Sequence, residues 1–233
     1  MATKTHILAG DPPIEVALKR NARARRFTLR VSKSAGTVSL SLPPHAPETE
    51  ALAFLDDRAE WVRRHLDAAP AIQRPAIGAA FPLLGAHRPV VAGPGRRAQY
   101  LDGRIMMPQT GRPGPLMVTL LKSMARESLL ARCDHHAARL GRRFGRVTLR
   151  DTRSRWGSCS IRGDLMFSWR LIMAPPDVLD YVAAHEVAHL QEMNHSPAFW
   201  AVCERLCPGY EAPRRWLRSQ GAALQAWRFD SLP

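Results

Sequence analysis

Between Ile14 and Leu42 apolar and polar positions alternate. Phe27, Leu29 and Val31 are separated by Thr28 and Arg30, and Val38, Leu40 and Leu42 are separated by serines. A period of two places every second side chain on one face, the mark of a half-buried strand. With Ile14–Leu18 these runs predict strands, and Ser34-Ala35-Gly36 predicts the turn of a hairpin. Pro43-Pro44 ends the alternation. From Glu48 to Leu66 the period changes, with Leu52, Leu55 and Val62 on the apolar side of an amphipathic helix.

A Pro/Gly/Ala-rich stretch, Ala68 to Ala80, comes next. Short strands are expected from Phe81 to Met107, broken at Gly93-Pro94-Gly95 and at Asp102-Gly103. The second break is a favoured two-residue hairpin turn. Gln109 to Pro115, dominated by Gly and Pro, reads as a linker. It divides the chain into residues 1–110, a β-rich region with one helix, and residues 115–233. The second part opens with a long helix from Leu116 to Phe144, then a strand at Val147–Leu149. A hairpin from Ser160 to Leu171 should turn at Arg162-Gly163-Asp164. Pro175-Pro176-Asp177 opens a helix running to Met193, since Pro suits a first turn and Asp the positive end of the dipole. The fold class is α+β with an N-terminal mainly-β region.

Composition adds bounds. The chain has 233 residues, 45% hydrophobic and 23% charged, enough for an adequate core. No apolar run approaches the roughly 18 residues of a membrane span, and the first residues have no signal-peptide core. The expectation is a cytoplasmic protein without a membrane partner. The net charge of +14 attracts polyanions, so nucleic acid is a candidate partner for the basic surface. The charge is almost all Arg in a chain also rich in Ala and Pro, and a GC-rich coding bias leaves the same signature. Four cysteines are too few for a disulfide framework. Cys203 and Cys207, one helical turn apart, are either half a metal site or two small buried side chains.

The chemistry concentrates in one helix. Val178, Val182, His185, His189 and Glu192 recur at helical spacing and form one stripe. His185 and His189, one turn apart in H-E-V-A-H, can direct ring nitrogens at a single ion, as zinc requires. Glu186 lies beside that ion and suits a general base acting on metal-bound water. A third ligand is needed. His195 is the leading candidate, with Glu192 or a distant carboxylate as its rival. Asn194 can end the helix in the left-handed conformation, and Ser196-Pro197 looks like the cap and first position of a new helix. The chain at His195 can then fold back towards the metal. His135 and His136 point different ways from one helix and read as surface or core residues.

Arg155-Trp156-Gly157-Ser158-Cys159-Ser160, then Tyr181 to Leu190 spanning H-E-V-A-H, then Asn194-His195-Ser196 and Phe199-Trp200, resemble the YgjP-like metallopeptidase family. The match is most specific from Val147 to Leu217. The resemblance implies a zincin-like catalytic domain, with His185, His189 and His195 on Zn2+ and Glu186 as the base. In the R-W-G-S-C run Gly157 permits a tight turn, and Arg155 or Ser158 can hold substrate or an oxyanion; a purely structural hairpin is the alternative. Tyr210 is a further candidate oxyanion donor, and Cys159 a further thiolate near the metal. The function expected is a zinc metallopeptidase acting on a peptide or protein substrate. Two alternatives stand beside it: a metal-dependent nucleotide phosphoanhydride hydrolase, and a protease tethered to nucleic acid by its basic surface.

Overall fold

The computed structural model describes residues 4–32, 36–67 and 70–230. The chain forms two compact units, residues 1–71 and 72–233. The first holds strands β1 (Lys4–Leu8), β2 (Ile14–Arg20), β3 (Thr28–Ser32) and β4 (Thr37–Leu42), then helices α1 (Glu48–Asp57) and α2 (Ala59–Asp67). The sheet order is β1-β2-β4-β3, with β2 and β4 parallel and the other pairs antiparallel. The alternation reads true: Val16, Leu18, Val38, Leu40 and Leu42 are buried together with Ala51, Leu55 and Val62 from the helices. β3 and β4 pair as the expected hairpin, although Ser34 and Ala35 lie outside the described residues. The single helix expected from Glu48 to Leu66 is two. It breaks at Arg58, whose N–H turns tightly back to the carbonyl of Leu55 at 3.1 Å.

The second unit begins with β5 (Ala80–Leu83), β6 (Ala86–Gly93), β7 (Gln99–Leu101) and β8 (Arg104–Pro108), in sheet order β5-β6-β8-β7. Asp102 and Gly103 take φ of 49° and 75°, and Leu101 pairs with Arg104 around them. Two consecutive left-handed residues make the tight hairpin turn that Asp-Gly favours. Helix α3 (Pro113–Leu140) follows at once. Its positions Met117, Leu121, Ala125, Leu129, Cys133 and Ala137 form one buried stripe, and Gly141 ends it in the left-handed conformation. Phe81, Leu83, Ile105 and Met107 join the same core as Met117 and Leu121. The division between units therefore falls between Ala71 and Ile72, and Gln109–Pro115 is a connection inside one core.

Three short strands stand beside α3: β9 (Val147–Arg150), β10 (Gly157–Cys159) and β11 (Leu165–Ser168), in the order β10-β11-β9. β10 is an edge strand that begins inside the R-W-G-S-C run. A 3₁₀ turn at Trp169–Met173 leads to α4 (Pro176–Ala188), then α5 (Pro197–Leu206) and α6 (Glu211–Ala226). Among the described residues no helix is long and apolar enough to cross a membrane.

α4 is the axis of this unit. It packs against α3, α5, α6, β10 and the 3₁₀ turn, and nine of its residues are buried. Two polar contacts fix its surroundings. His136 on α3, itself 1% exposed, bonds to Asp180 on α4 at 2.8 Å. Arg170 in the 3₁₀ turn donates to both carboxylate oxygens of Asp151, at 2.6 and 3.1 Å. It also donates to the carbonyls of Leu224 and Trp227 at 2.9 and 3.0 Å, tying the chain's last turn to the segment that leads into β10.

Candidate metal centre

His185 and Glu186 sit in the last turn of α4. His189 follows as the residue that caps it. The helix stops five residues short of Met193. In place of another helical turn, the backbone makes tight bonds from Leu190, Gln191 and Glu192 back to Val187 and Ala188. Glu192 thereby leaves the stripe, and its carbonyl accepts a hydrogen bond from His189 Nδ1 at 2.9 Å. Of the two candidate third ligands, Glu192 thus reaches the site through its main chain. Asn194 is not left-handed, since among the described residues only Leu84 and Asp102 combine a side chain with positive φ. Its Oδ1 accepts from the N–H of Ser196 at 3.0 Å, an Asx turn that swings the chain round. Ser196 then caps α5 by accepting from Phe199 N at 3.4 Å, with Pro197 in the first turn as its sequence suggests.

The turn brings His195 onto the other two histidines. One ring nitrogen from each of His185, His189 and His195 lies within 4.8 Å of the others. His185 Nε2 and His195 Nε2 are 3.0 Å apart. Two imidazole nitrogens at that separation need a proton or a cation between them, because both otherwise present lone pairs. The bond from His189 Nδ1 to a carbonyl fixes its tautomer and leaves Nε2 a lone pair, the usual support of a metal-ligating imidazole. Burial pushes the His185 pKa down to about 3, assisted by His189, His195 and Arg214. Burial also lowers that of His189 against the opposing carbonyl bond. Both rings are neutral near pH 7, the form that binds a metal. The residues present therefore fit a divalent ion with an affinity for nitrogen.

Aromatic rings wall in the cluster. Phe199 lies 4.9 Å from the His185 ring and 4.5 Å from that of His189, and Trp200 lies 5.7 Å from His195. An opening of about 500 Å³ leads to the histidines, bordered by Arg155, Gly157, Ser158, Cys159 and Glu186. The Glu186 residue is 5% exposed, and burial raises its pKa to about 8 against the pull of the Arg155 charge. Gly157 is the residue whose importance the sequence hides. It lies in β10 and not at a turn, and a Cβ built on it would sit 2.5 Å from Glu186 Oε1 and 2.6 Å from Glu186 Cγ. Only glycine lets β10 lie this close to the carboxylate.

The remaining candidates separate. Arg155 and Ser158 border the opening; Tyr210 does not. Tyr210 is stacked between Trp200, at 5.1 Å, and Tyr181, at 6.1 Å, with its residue 8% exposed. Cys159 borders the opening as a thiol, since burial and the charges of Glu186 and Asp164 push its pKa to about 11. Cys203 and Cys207 are pushed to about 12 and 11, mainly by burial; Cys203 is buried in the core and Cys207 is half-buried against it. Neither belongs to the group of three histidines that could hold a metal ion.

No curated protein matches the chain. Among solved structures, a metallopeptidase zymogen, abylysin of Pyrococcus abyssi, is similar at 21% identity and a TM-score of 0.37, over 40% of this chain and 95% of that one. The profile of the YgjP-like metallopeptidase domain matches residues 25–220. That span includes the whole of the cleft and most of both units, so the chain belongs to the YgjP-like metallopeptidase family.

Proposed function

We propose that the protein is a zinc-dependent peptidase in which His185, His189 and His195 hold the metal and Glu186 is the general base and acid. The observation that carries this is the convergence of three imidazole nitrogens within 4.8 Å of one another beside a buried carboxyl. A set of three neutral imidazoles suits zinc, with a position left for substrate or water. Zinc in such a set supplies Lewis acidity to the scissile carbonyl and to the attacking water.

The chain's own groups do the rest. Glu186 sits in a poorly solvated position whose pKa of about 8 matches a group that must take and return a proton near neutral pH. It accepts the proton of the attacking water and returns it to the departing amine. Arg155 lowers the cost of the carboxylate form and stands at the opening, where its guanidinium can hold a substrate carbonyl. β10 is an edge strand with β11 on one side only, so an extended peptide can add along its outer edge. That path passes Gly157, directly over Glu186. Phe199 and Trp200 pack against the His185 ring at 4.9 and 5.8 Å and help to hold it in place.

The test is Glu186→Gln in the zinc-loaded full-length protein, assayed on a peptide mixture by mass spectrometry. The expected variant keeps its zinc and loses cleavage by about 10³-fold or more. Cleavage at the wild-type rate would remove Glu186 from the mechanism.

A further inference from the structure

A second cleft, of about 350 Å³, adjoins the first and shares His189 and Met193 with it. Three arginines from two separate segments line it. Arg142 and Arg143 follow the left-handed Gly141 that ends α3, and Arg162 stands in the turn between β10 and β11. Among the described residues none of the three guanidinium groups has an ion pair or a side-chain hydrogen bond. No acidic side chain lines the cleft. Asp164, the acid nearest in sequence, faces Arg146, accepting from its main-chain N–H at 3.1 Å and lying 3.6 Å from its side chain. Two other arginines of this unit have internal partners: Arg139 bonds to the carbonyls of Leu206 and Arg205, and Arg170 to Asp151. The three here are left to face solvent around one concavity.

Position gives the concavity its meaning. β10 runs from the histidine cleft towards it, so Gly157 to Cys159 border the first cleft and Ser160 to Gly163 the second. A peptide extended along the outer edge of β10, with its scissile bond beside Glu186, carries its next side chains over the three arginines. A guanidinium fork matches a carboxylate in shape and charge.

We propose that this second cleft is a substrate subsite for carboxylates, and that the enzyme selects peptides with Asp or Glu within a few residues of the scissile bond on the side lying beyond His189. The inference rests on the peptidase reading above. Solvent-exposed pairs of this kind are individually weak, so two or three together give a preference of roughly tenfold. The preference must shrink as salt rises, because the pairs are open to screening.

The experiment uses the zinc-loaded full-length protein and a positional peptide library in which Asp and Glu are compared with Asn and Gln at each position around the cut. The wild type should favour the acidic residues at one or two positions on one side only, chiefly through KM. In the Arg142→Glu/Arg143→Glu/Arg162→Glu variant the acidic-to-neutral ratio of kcat/KM should fall about tenfold and invert towards Lys and Arg. A single Arg162→Gln change, on the exposed turn, should lower the same ratio in part and guards against misfolding of the triple variant. Equal cleavage of acidic and neutral peptides by the wild type would overturn the proposal, as would an acidic preference that survives charge reversal. If the triple variant instead loses salt-dependent DNA binding while its peptide selectivity is unmoved, the arginines form a nucleic-acid surface and the proposal is wrong. A wild type that cuts no peptide at all would overturn the peptidase reading itself, and this inference with it.

Discussion

Gly157→Ala adds one methyl group at the point where β10 meets α4. The new Cβ would lie 2.5, 2.6 and 2.8 Å from Oε1, Cγ and Cδ of Glu186. Carbon atoms pack comfortably at about 3.5–4.0 Å, so the carboxyl group must retreat by about 1 Å or β10 must lift away. The backbone is no obstacle, because Gly157 is not among the glycines with positive φ. The whole effect therefore comes through Glu186. Overfilling of a packed site costs about 1–3 kcal/mol, which for a chain of this size lowers Tm by roughly 2–12 °C. Displacing a reacting group by about 1 Å costs on the order of 100-fold in rate. The three atoms nearest the new Cβ all belong to Glu186 and none to a histidine, so zinc stoichiometry should be retained. Measured together, kcat/KM on a cleaved peptide should fall about 100-fold, Tm by several degrees, and bound zinc not at all. A variant with wild-type kcat/KM would refute the claim that Gly157 is there to make room for the base. Loss of zinc together with activity would place the damage at the ligands instead.

Three further outcomes follow from the same geometry. On the proposed ligand set, His195→Ala removes the third imidazole that the Asn194 turn delivers, and zinc affinity by competition titration should fall by at least 100-fold while the fold, read by circular dichroism, persists. Arg170→Met leaves the carbonyls of Leu224 and Trp227 without their donor; the cost should be about 3 kcal/mol, and hydrogen exchange should rise first at Trp227–Phe229. Asp180→Ala leaves the buried His136 ring without its partner and should cost about 1–3 kcal/mol at neutral pH. Burial raises the Asp180 pKa, but the His136 hydrogen bond and charge, with Arg132 and His135, lower it on balance. A depressed carboxyl pKa contributes stability above the unfolded value of about 3.9 and loses it as pH falls through the folded value. The difference between wild type and Asp180→Ala in denaturant melts should therefore narrow as pH falls below about 4.

Local patterns carried most of the element assignments because those elements bury one face each. The alternation of β3 and β4, the Asp102-Gly103 turn and the every-fourth-residue stripe of α3 are all signals written at short spacing. β1 escaped notice because it is a sheet edge in which only Leu8 is buried, so its sequence shows no alternation. The division into compact units follows a different feature from the Gly/Pro signal. Gly and Pro at Gln109–Pro115 signal a break in secondary structure, and the break is real, between β8 and α3. A break in secondary structure is a boundary between units only if nothing packs across it. Ile105 and Met107 on one side share a core with Met117 and Leu121 on the other, and that fact belongs to the tertiary structure.

The site divides along the same line. His185, Glu186 and His189 share a single helical end, so helical periodicity places them together. His195 comes from beyond the helix, and its legibility depended on the small residues around it: Asn194 to turn the chain and Ser196-Pro197 to start α5. The turn proved to be an Asx turn, yet it has the consequence that a left-handed Asn would have had, because either one reverses the chain within three residues. Gly157 and Arg162 were readable as turn-compatible residues only. Their functional surroundings arise when β10 is laid against α4, a contact between segments about thirty residues apart with no shared periodicity. A glycine in a strand does carry one local signal, since it weakens the strand and so marks a close approach or a bulge. In R-W-G-S-C that signal was outweighed by the more familiar one, glycine as a turn former. The physical distinction is the sign of φ, and Gly163, with φ of 78°, is the true turn residue of this hairpin. Gly157 must instead be absent of bulk, because the group it makes room for is the buried Glu186 carboxyl.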